Sequence, residues 1–345
     1  MKPLVLGLAG VGRIGAMHAE NIVGLRKRFA DRGIELGLVL TDVDHRNARA
    51  TAERIGAGHA PGVEELLSGG VDGLVVATGT RTHPALIRAG LAAGVPVFCE
   101  KPVAGDVAAA LPLLAEIRSA GGRVQIGHQR RFDPGYVEAK RRYDAGDLGW
   151  IHSMRAVTGD VSPPSMEFLS SSGGLFRDCS VHDFDILRWL TGRDVVEVYA
   201  RGSNNGDPAI GSVGDVDTAL AVLTFDDGTV ATASATRYNG AGHDVRLEIQ
   251  GSRGSLMVGL DERTALRSAE AGVGFPSGSP HRTFAERFAG AYREEMAAFV
   301  EMVLGERENP CTPEDAVAAS AIADAAQESL VSGRPVSVRP PGPRA

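Results

Sequence analysis

Cysteine is scarce in this sequence: three residues in 345, at positions 99, 179 and 311, with no CxxC spacing. An odd, scattered set excludes a disulfide scaffold and a cysteine-based structural zinc site, and it fits a reducing compartment. Long hydrophobic runs are also missing. No stretch approaches the roughly 18–20 uncharged residues of a membrane span. The apolar start at Leu4–Ala9 is broken by glycines and soon reaches Arg13, too short for a secretory signal. A cytoplasmic protein is expected. Nor is there an excess of positive charge: Lys plus Arg number 36 against 43 Asp plus Glu, a net charge of −7. That balance argues against a large electrostatic footprint for nucleic acid or anionic membrane. The shares of hydrophobic residues (43%) and charged residues (23%) are ordinary, which excludes a disordered, collagen-like or low-complexity chain. The length predicts two domains at about 150 residues each. What abounds is glycine, 44 residues, nearly twice the usual share of about 7%. Without repeats, such an excess indicates turns and close backbone approaches.

From Leu4 to about Gln125, short apolar runs (4–9, 34–40, 73–77, 95–99, 123–126) alternate with helical stretches (13–30, 45–55, 83–93, 106–120). Continuous apolar strands separated by helices predict a parallel sheet covered on both faces, an α/β doubly wound domain over residues 1–126. On it lies Gly10-Val11-Gly12-Arg13-Ile14-Gly15, a GxGxxG that follows a strand and opens a helix. Alone the pattern is weak; in the order strand, turn, helix, strand, acid it points to a dinucleotide site. Gly10 makes the turn, Gly12 admits the pyrophosphate, and Gly15 lets helix and strand pack closely. Asp42 at the end of the second strand suits ribose hydroxyls and repels a 2′-phosphate, which favours NAD; the nearby Arg46 keeps NADP open. At the carboxyl ends of later strands stand Thr78 with His83, and Glu100-Lys101-Pro102, where open α/β sheets bind ligands.

After Gly127 the pattern changes to alternating runs at 151–158, 195–201, 216–225, 229–237 and 244–250, with helices at 135–145, 175–191, 284–304 and 313–332. This predicts an α+β domain over 127–338 with a large, mostly antiparallel open sheet, followed by a flexible tail at 339–345. Its most informative segment runs from Ser172 to Asp185. In a helix starting near Leu175, Asp178, His182 and Asp185 share one stripe, with apolar residues around most of the remaining circumference. Three readings compete: a structural Asp–His pair, a metal site, and acid–base catalysis. One histidine flanked by acids lacks a clear ligand set, so no metal is expected. Beside a nicotinamide site, catalysis gains, because alcohol oxidation needs a base and no metal.

Together these motifs resemble the Gfo/Idh/MocA family of oxidoreductases, and within it bacterial inositol 2-dehydrogenases. The resemblance covers nearly the whole chain: the glycine loop with His18 and Asn21, Glu100-Lys101-Pro102, and Arg130-Arg131-Phe132-Asp133. It continues through Ser172-Gly173-Gly174 to His182-Asp183-Phe184-Asp185, Gly214-Asp215-Val216-Asp217-Thr218, and Phe284-Ala285-Glu286-Arg287-Phe288 with Tyr292. It implies a Rossmann domain followed by an open-sheet domain used for oligomer contacts, as a dimer or tetramer. It also implies chemistry by Lys101, Asp178 and His182: His182 takes the hydroxyl proton, Asp178 orients it, and Lys101 stabilises the oxygen. The expected cofactor contacts are Gly10, Gly12, Arg13, Ile14, Asp42, Thr78, His83, Glu100 and Lys101. The expected substrate contacts are Lys101, Arg131, Asp160, Asp178, His182 and His243.

The chain departs from the inositol pattern at Gly159-Asp160-Val161 and at Gly240-Ala241-Gly242-His243-Asp244, where the pattern has an Arg-Asp-Pro or Arg-Asn-Pro turn and a tyrosine-bearing segment. Such changes reshape hydrogen bonding to substrate hydroxyls. The expectation is an NAD-dependent dehydrogenase of a secondary hydroxyl on a cyclitol or sugar. The alternatives are a dehydrogenase or reductase of another pyranose sugar or derivative, a redox-neutral enzyme that recycles tightly held NAD, and a non-catalytic NAD or sugar sensor.

Overall fold

The structure is a computed structural model that describes residues 2–339; residues 340–345, most of the expected tail, lie outside the described residues. Chain contacts divide it into two units. One runs up to Phe132 and takes in Gly290–Val317; the other comprises Asp133–Ala289 and the stretch from Ala318 onward.

The first unit is built on six parallel strands: β1 (Lys2–Ala9), β2 (Ile34–Thr41), β3 (Gly58–His59), β4 (Gly73–Val76), β5 (Val97–Glu100) and β6 (Val124–Gly127). Their order is β3-β2-β1-β4-β5-β6, so the chain reverses direction across the sheet between β1 and β4. Open α/β sheets bind ligands at such a reversal, because the loops after the two strands diverge to opposite faces. Both faces are covered. Leu4, Leu6 and Leu8 of β1 pack with Ala19 and Ile22 of helix Arg13–Gly24 and with Met296, Phe299 and Val300 of helix Ala289–Val303. Leu74, Val76, Val97 and Cys99 pack with Ile87, Leu113 and Leu114, and with Cys311 and Val317. The three cysteines are buried and unbridged. Strand β3 and helix Val63–Ser68 were not expected from the sequence; they are too short to set up a period.

The second unit carries a seven-stranded sheet of β7 (Ile151–Gly159), β8 (Val195–Ser203), β9 (Thr218–Phe225), β10 (Val230–Thr236), β11 (Asp244–Gly251), β12 (Ser255–Val258) and β13 (Val336–Ser337). Its order is β12-β11-β7-β10-β9-β8-β13, antiparallel except where β10 runs parallel to β7. Small residues line one face: Ala219, Ala221, Ala231, Ala233 and Ala235 are buried. On that face lies helix Val181–Thr191, anchored where the Thr158 hydroxyl of β7 donates to Asp183 at 2.8 Å. The other face leaves Val196, Leu220, Val222 and Val230 exposed. Among the described residues no helix is long and apolar enough to cross a membrane.

The packing of the glycine loop is tested by Gly15→Ala, whose Cβ would lie 1.8 Å from the Gly10 carbonyl oxygen. Backbone cannot yield as a side-chain tip can, so we expect a loss of about 1–3 kcal/mol by urea denaturation. An unchanged midpoint would mean that the turn is not closed in this way.

Candidate active site

In the first unit, sequence dictates the turn after β1. Gly10 has φ +92°, left-handed backbone that disfavours any side chain, and its Cβ would meet the Ala77 carbonyl oxygen at 2.7 Å. The ends of β1 and β4 are thus pressed together at the reversal point. Gly12 is the opposite case: nothing lies within 4 Å of where its Cβ would be. Helix Arg13–Gly24 begins at Gly12 with no side-chain cap and no acid in its first turn. A helix N-terminus beside an open approach is a place that suits an anion. Asp42, just beyond β2, borders this loop. Its Oδ2 accepts the Val11 N–H at 2.6 Å and its Oδ1 the Asp44 N–H at 2.8 Å. The carboxylate is held rigidly while lone pairs remain for ribose hydroxyls. Open space at Gly12, a helix N-terminus and a fixed acid fit a dinucleotide with an unphosphorylated ribose.

The loops after β4 and β5 are tied to each other. The Thr78 and Thr82 hydroxyls are 2.6 Å apart. His83 is buried, with Nδ1 2.7 Å from the Pro102 carbonyl and Nε2 3.1 Å from that of Thr78. Its imidazole thus bridges the loops that follow β4 and β5. Glu100 ends β5, 2.6 Å from His18 Nε2. Burial pushes its carboxyl toward the neutral form, but the His18 hydrogen bond and the charges of His18, Lys101 and His83 outweigh it. The result lies below the ordinary carboxylate range. Lys101 follows, half-buried. Arg131 is buried and donates to the Pro310 carbonyl at 3.0 Å and to Asp315 at 3.1 Å, which binds the turn after β6 to the returning segment.

In the second unit, the segment from Gly174 departs from the expected single helix. Phe176–Ser180 is a π-helical turn, and the α-helix starts only at Val181. A wider turn breaks the regular stripe, so Asp178, His182 and Asp185 do not follow one α-helical row. Asp178 and His182 are half-buried, whereas Asp185 is fully buried. The entrance is fixed by Gly174, at φ +91°, and by Asp215, whose Oδ1 accepts the Leu175 N–H at 2.8 Å.

Behind this turn sits Arg237, a guanidinium with no exposure to water. It donates to Asp178 Oδ2 at 3.1 Å and to Asp215 Oδ2 at 3.2 Å. Burial opposes its charge, but Cys179, Asp178 and Asp215 together hold its pKa above the ordinary value. The Cys179 sulfur lies 3.9 Å from Arg237 and 3.7 Å from Asp160 Oδ2. Asp160 in turn faces His243 Nδ1 at 3.2 Å. His243 is itself buried, its main-chain N–H bound to the His281 carbonyl at 2.7 Å. So the structure joins Asp160, Asp178 and His243 in one polar chain, and it pairs the two segments in which the sequence departs from the inositol pattern. Sequence reasoning missed Arg237 and Cys179 as members. The one available signal was a lone arginine directly after the small-residue strand 230–236.

Comparison with known proteins agrees with this architecture. Residues 4–128 match the model "Oxidoreductase family, NAD-binding Rossmann fold", and residues 140–338 match "Oxidoreductase family, C-terminal alpha/beta domain". The chain belongs to the Gfo/Idh/MocA family of oxidoreductases, and its first unit carries the family's NAD-binding Rossmann fold. Among its relatives, a myo-inositol dehydrogenase of Streptomyces leeuwenhoekii is 39% identical over 335 residues, 96% of this chain and 98% of that one. A scyllo-inositol 2-dehydrogenase (NAD(+)) of Bacillus subtilis is 33% identical over 95% of this chain and 94% of its own. The crystal structure of scyllo-inositol dehydrogenase from Lactobacillus casei, with bound NAD(H) and scyllo-inositol, superposes with a TM-score of 0.86 at 29% identity, covering 97% of this chain and 99% of that one.

Arg237→Met leaves two carboxylates without their shared cation. Breaking a buried pair from one side costs about 3–5 kcal/mol, a loss that denaturant titration should register. Double replacement with Asp215→Asn is expected to recover part of it, because one stranded charge is gone. Equal stability of Arg237→Met and the parent would mean that the guanidinium is not the anchor.

Proposed function

We propose that this protein oxidises a secondary hydroxyl of a cyclitol of the inositol type, with NAD as acceptor. The observation that carries the reading is similarity along almost the full length of both chains to proteins named as inositol dehydrogenases. The presence of Lys101, Asp178 and His182 supports an active enzyme. In this reading the bound cofactor supplies the nicotinamide that accepts the hydride. Gly10, Gly12, Arg13 and Ile14 hold its phosphates, Asp42 its ribose, and Thr78, His83 and Glu100 shape the edge of its site. His182 accepts the proton of the substrate hydroxyl, and Asp178, steadied by Arg237, orients the imidazole. Lys101 donates a hydrogen bond to the substrate oxygen and stabilises its developing charge. Asp160 and His243 take part in substrate recognition. Arg131 contributes by fixing the turn that follows β6.

A second substrate, a related pyranose sugar, is favoured by one observation: the Asp160–His243 pair, which replaces the turn and the tyrosine of the inositol pattern. We further propose a homo-oligomer that covers the exposed Val196, Leu220, Val222 and Val230 of the second sheet, in a cytoplasmic setting.

The test is production of NADH from NAD, or of NADPH from NADP, over a panel of inositol isomers and aldoses. The expected result is turnover of at least one cyclitol with NAD. Binding without turnover would sink the enzymatic reading and favour a sensor; bound cofactor without net NADH would favour redox-neutral recycling. On the identified substrate, His182→Ala and Lys101→Met should each lower kcat by about 10²–10⁴-fold. Wild-type turnover in either variant would refute its assigned role. Asp160→Asn should change the ranking of substrates more than the best kcat, as judged by kcat/KM across the panel. An unchanged ranking would remove Asp160 from recognition.

A further inference from the structure

One buried titratable group remains without a role. Glu295, on helix Ala289–Val303, has no exposure to water, and neither carboxyl oxygen has a hydrogen-bond partner among the described residues. His18 is equally buried. One imidazole nitrogen of His18 and one carboxyl oxygen each of Glu100 and Glu295 lie within 4.8 Å of one another. The imidazole, however, is committed to Glu100 through its Nε2 at 2.6 Å. Its ring packs edge-on against Phe98 and Tyr292, with centroids 5.2 and 5.9 Å away. Gln125 of β6 faces the helix from the sheet, but its side-chain N–H reaches the main-chain carbonyl of Glu295 at 3.5 Å rather than the carboxyl group.

Two carboxyl groups this close and this dry cannot both be ionised when a single imidazole serves them. The one bonded to His18 keeps the charge. We propose that Glu295 is held as a neutral carboxylic acid and, with His18, acts as a positioning residue that leaves Glu100 as the anion of the cluster, set against Lys101. This deepens the role given to Lys101 above and rests on that reading. The other groups facing the cluster are consistent with it. Burial, then the charge of Glu100, drives the Glu295 carboxyl well above its usual range. Burial, then the charge of Glu100, keeps the Tyr292 phenol neutral, against the smaller opposing effect of Arg130 and Arg13. His83 and Lys101 act on Glu100 and favour its charged form.

A carboxyl whose folded pKa is raised stabilises the fold below the ordinary glutamate range, and that stability is lost as pH rises toward the folded pKa. In that window unfolding releases a proton. Wild-type protein should therefore release about one proton more on unfolding than Glu295→Gln, read from the slopes of stability against pH. Its infrared spectrum should hold the carbonyl band of a protonated carboxylic acid, lost in Glu295→Gln. Neither readout depends on substrate, so failure here is separable from failure of the proposed activity. Equal slopes, or no such band, would overturn the proposal. So would a tightly bound metal ion in purified wild-type protein that Glu295→Gln lacks. For the positioning role, His18→Gln or His18→Asn should move the acid limb of kcat to higher pH, because Glu100 then protonates sooner, with little change in KM. An unmoved limb would reduce His18 to a packing residue and defeat that half of the proposal.

Discussion

A charge removed from water must be answered where it stands, and that constraint organises both units. Arg237 is the plainest case: its guanidinium, wholly enclosed, pulls Asp178 and Asp215 toward one point. Asp215 in turn closes the start of the π turn through the Leu175 N–H. The position of Asp178 is thus determined from behind, by a strand end and a loop, as much as by its own helix. A wide turn alone would leave its side chain adjustable; a cation at 3.1 Å does not. In the first unit the same constraint appears as His18 against Glu100, with Asp42 bound by two main-chain N–H groups.

Two kinds of immobility result. Around the glycine loop, steric exclusion decides: Gly10 and Gly15 admit no side chain, and the space left at Gly12 is what the turn exists to provide. Around Asp178, electrostatics decides. A site in which acids are held by fixed partners needs little rearrangement when charge develops on a substrate, which is the condition for strong stabilisation of a transition state. The Asp160–His243 pair extends that polar chain to the two segments that distinguish this sequence from the inositol pattern.

Legibility followed sequence distance. The glycine loop, its strand and Asp42 lie within about forty residues, and each carries its own local signal, so the Rossmann fold and its NAD cofactor were readable. The alternation of small and large residues in β9 and β10 likewise announced an open sheet. The Asp178–Arg237 pair spans 59 residues and the Arg237–Asp215 pair 22, and no period or turn residue links them. The π turn was hidden for another reason. A π turn and an α turn use the same residue types, and tertiary contacts choose between them. Glu295 read as an ordinary helical glutamate; only the fold puts it in a dry cluster.

The first unit is discontinuous in the chain. Met296, Phe299, Val300 and Met302 share a core with β1 and β2, although almost three hundred residues separate them from Leu4. Cys311 and Val317 do the same on the opposite face. A ribosome making this protein must therefore complete the whole second sheet as far as β12 before the cofactor unit can seal either side. Until then the nascent Rossmann sheet carries unfilled apolar surface on both faces. Synthesis order and folding order are inverted: what is made first is finished late.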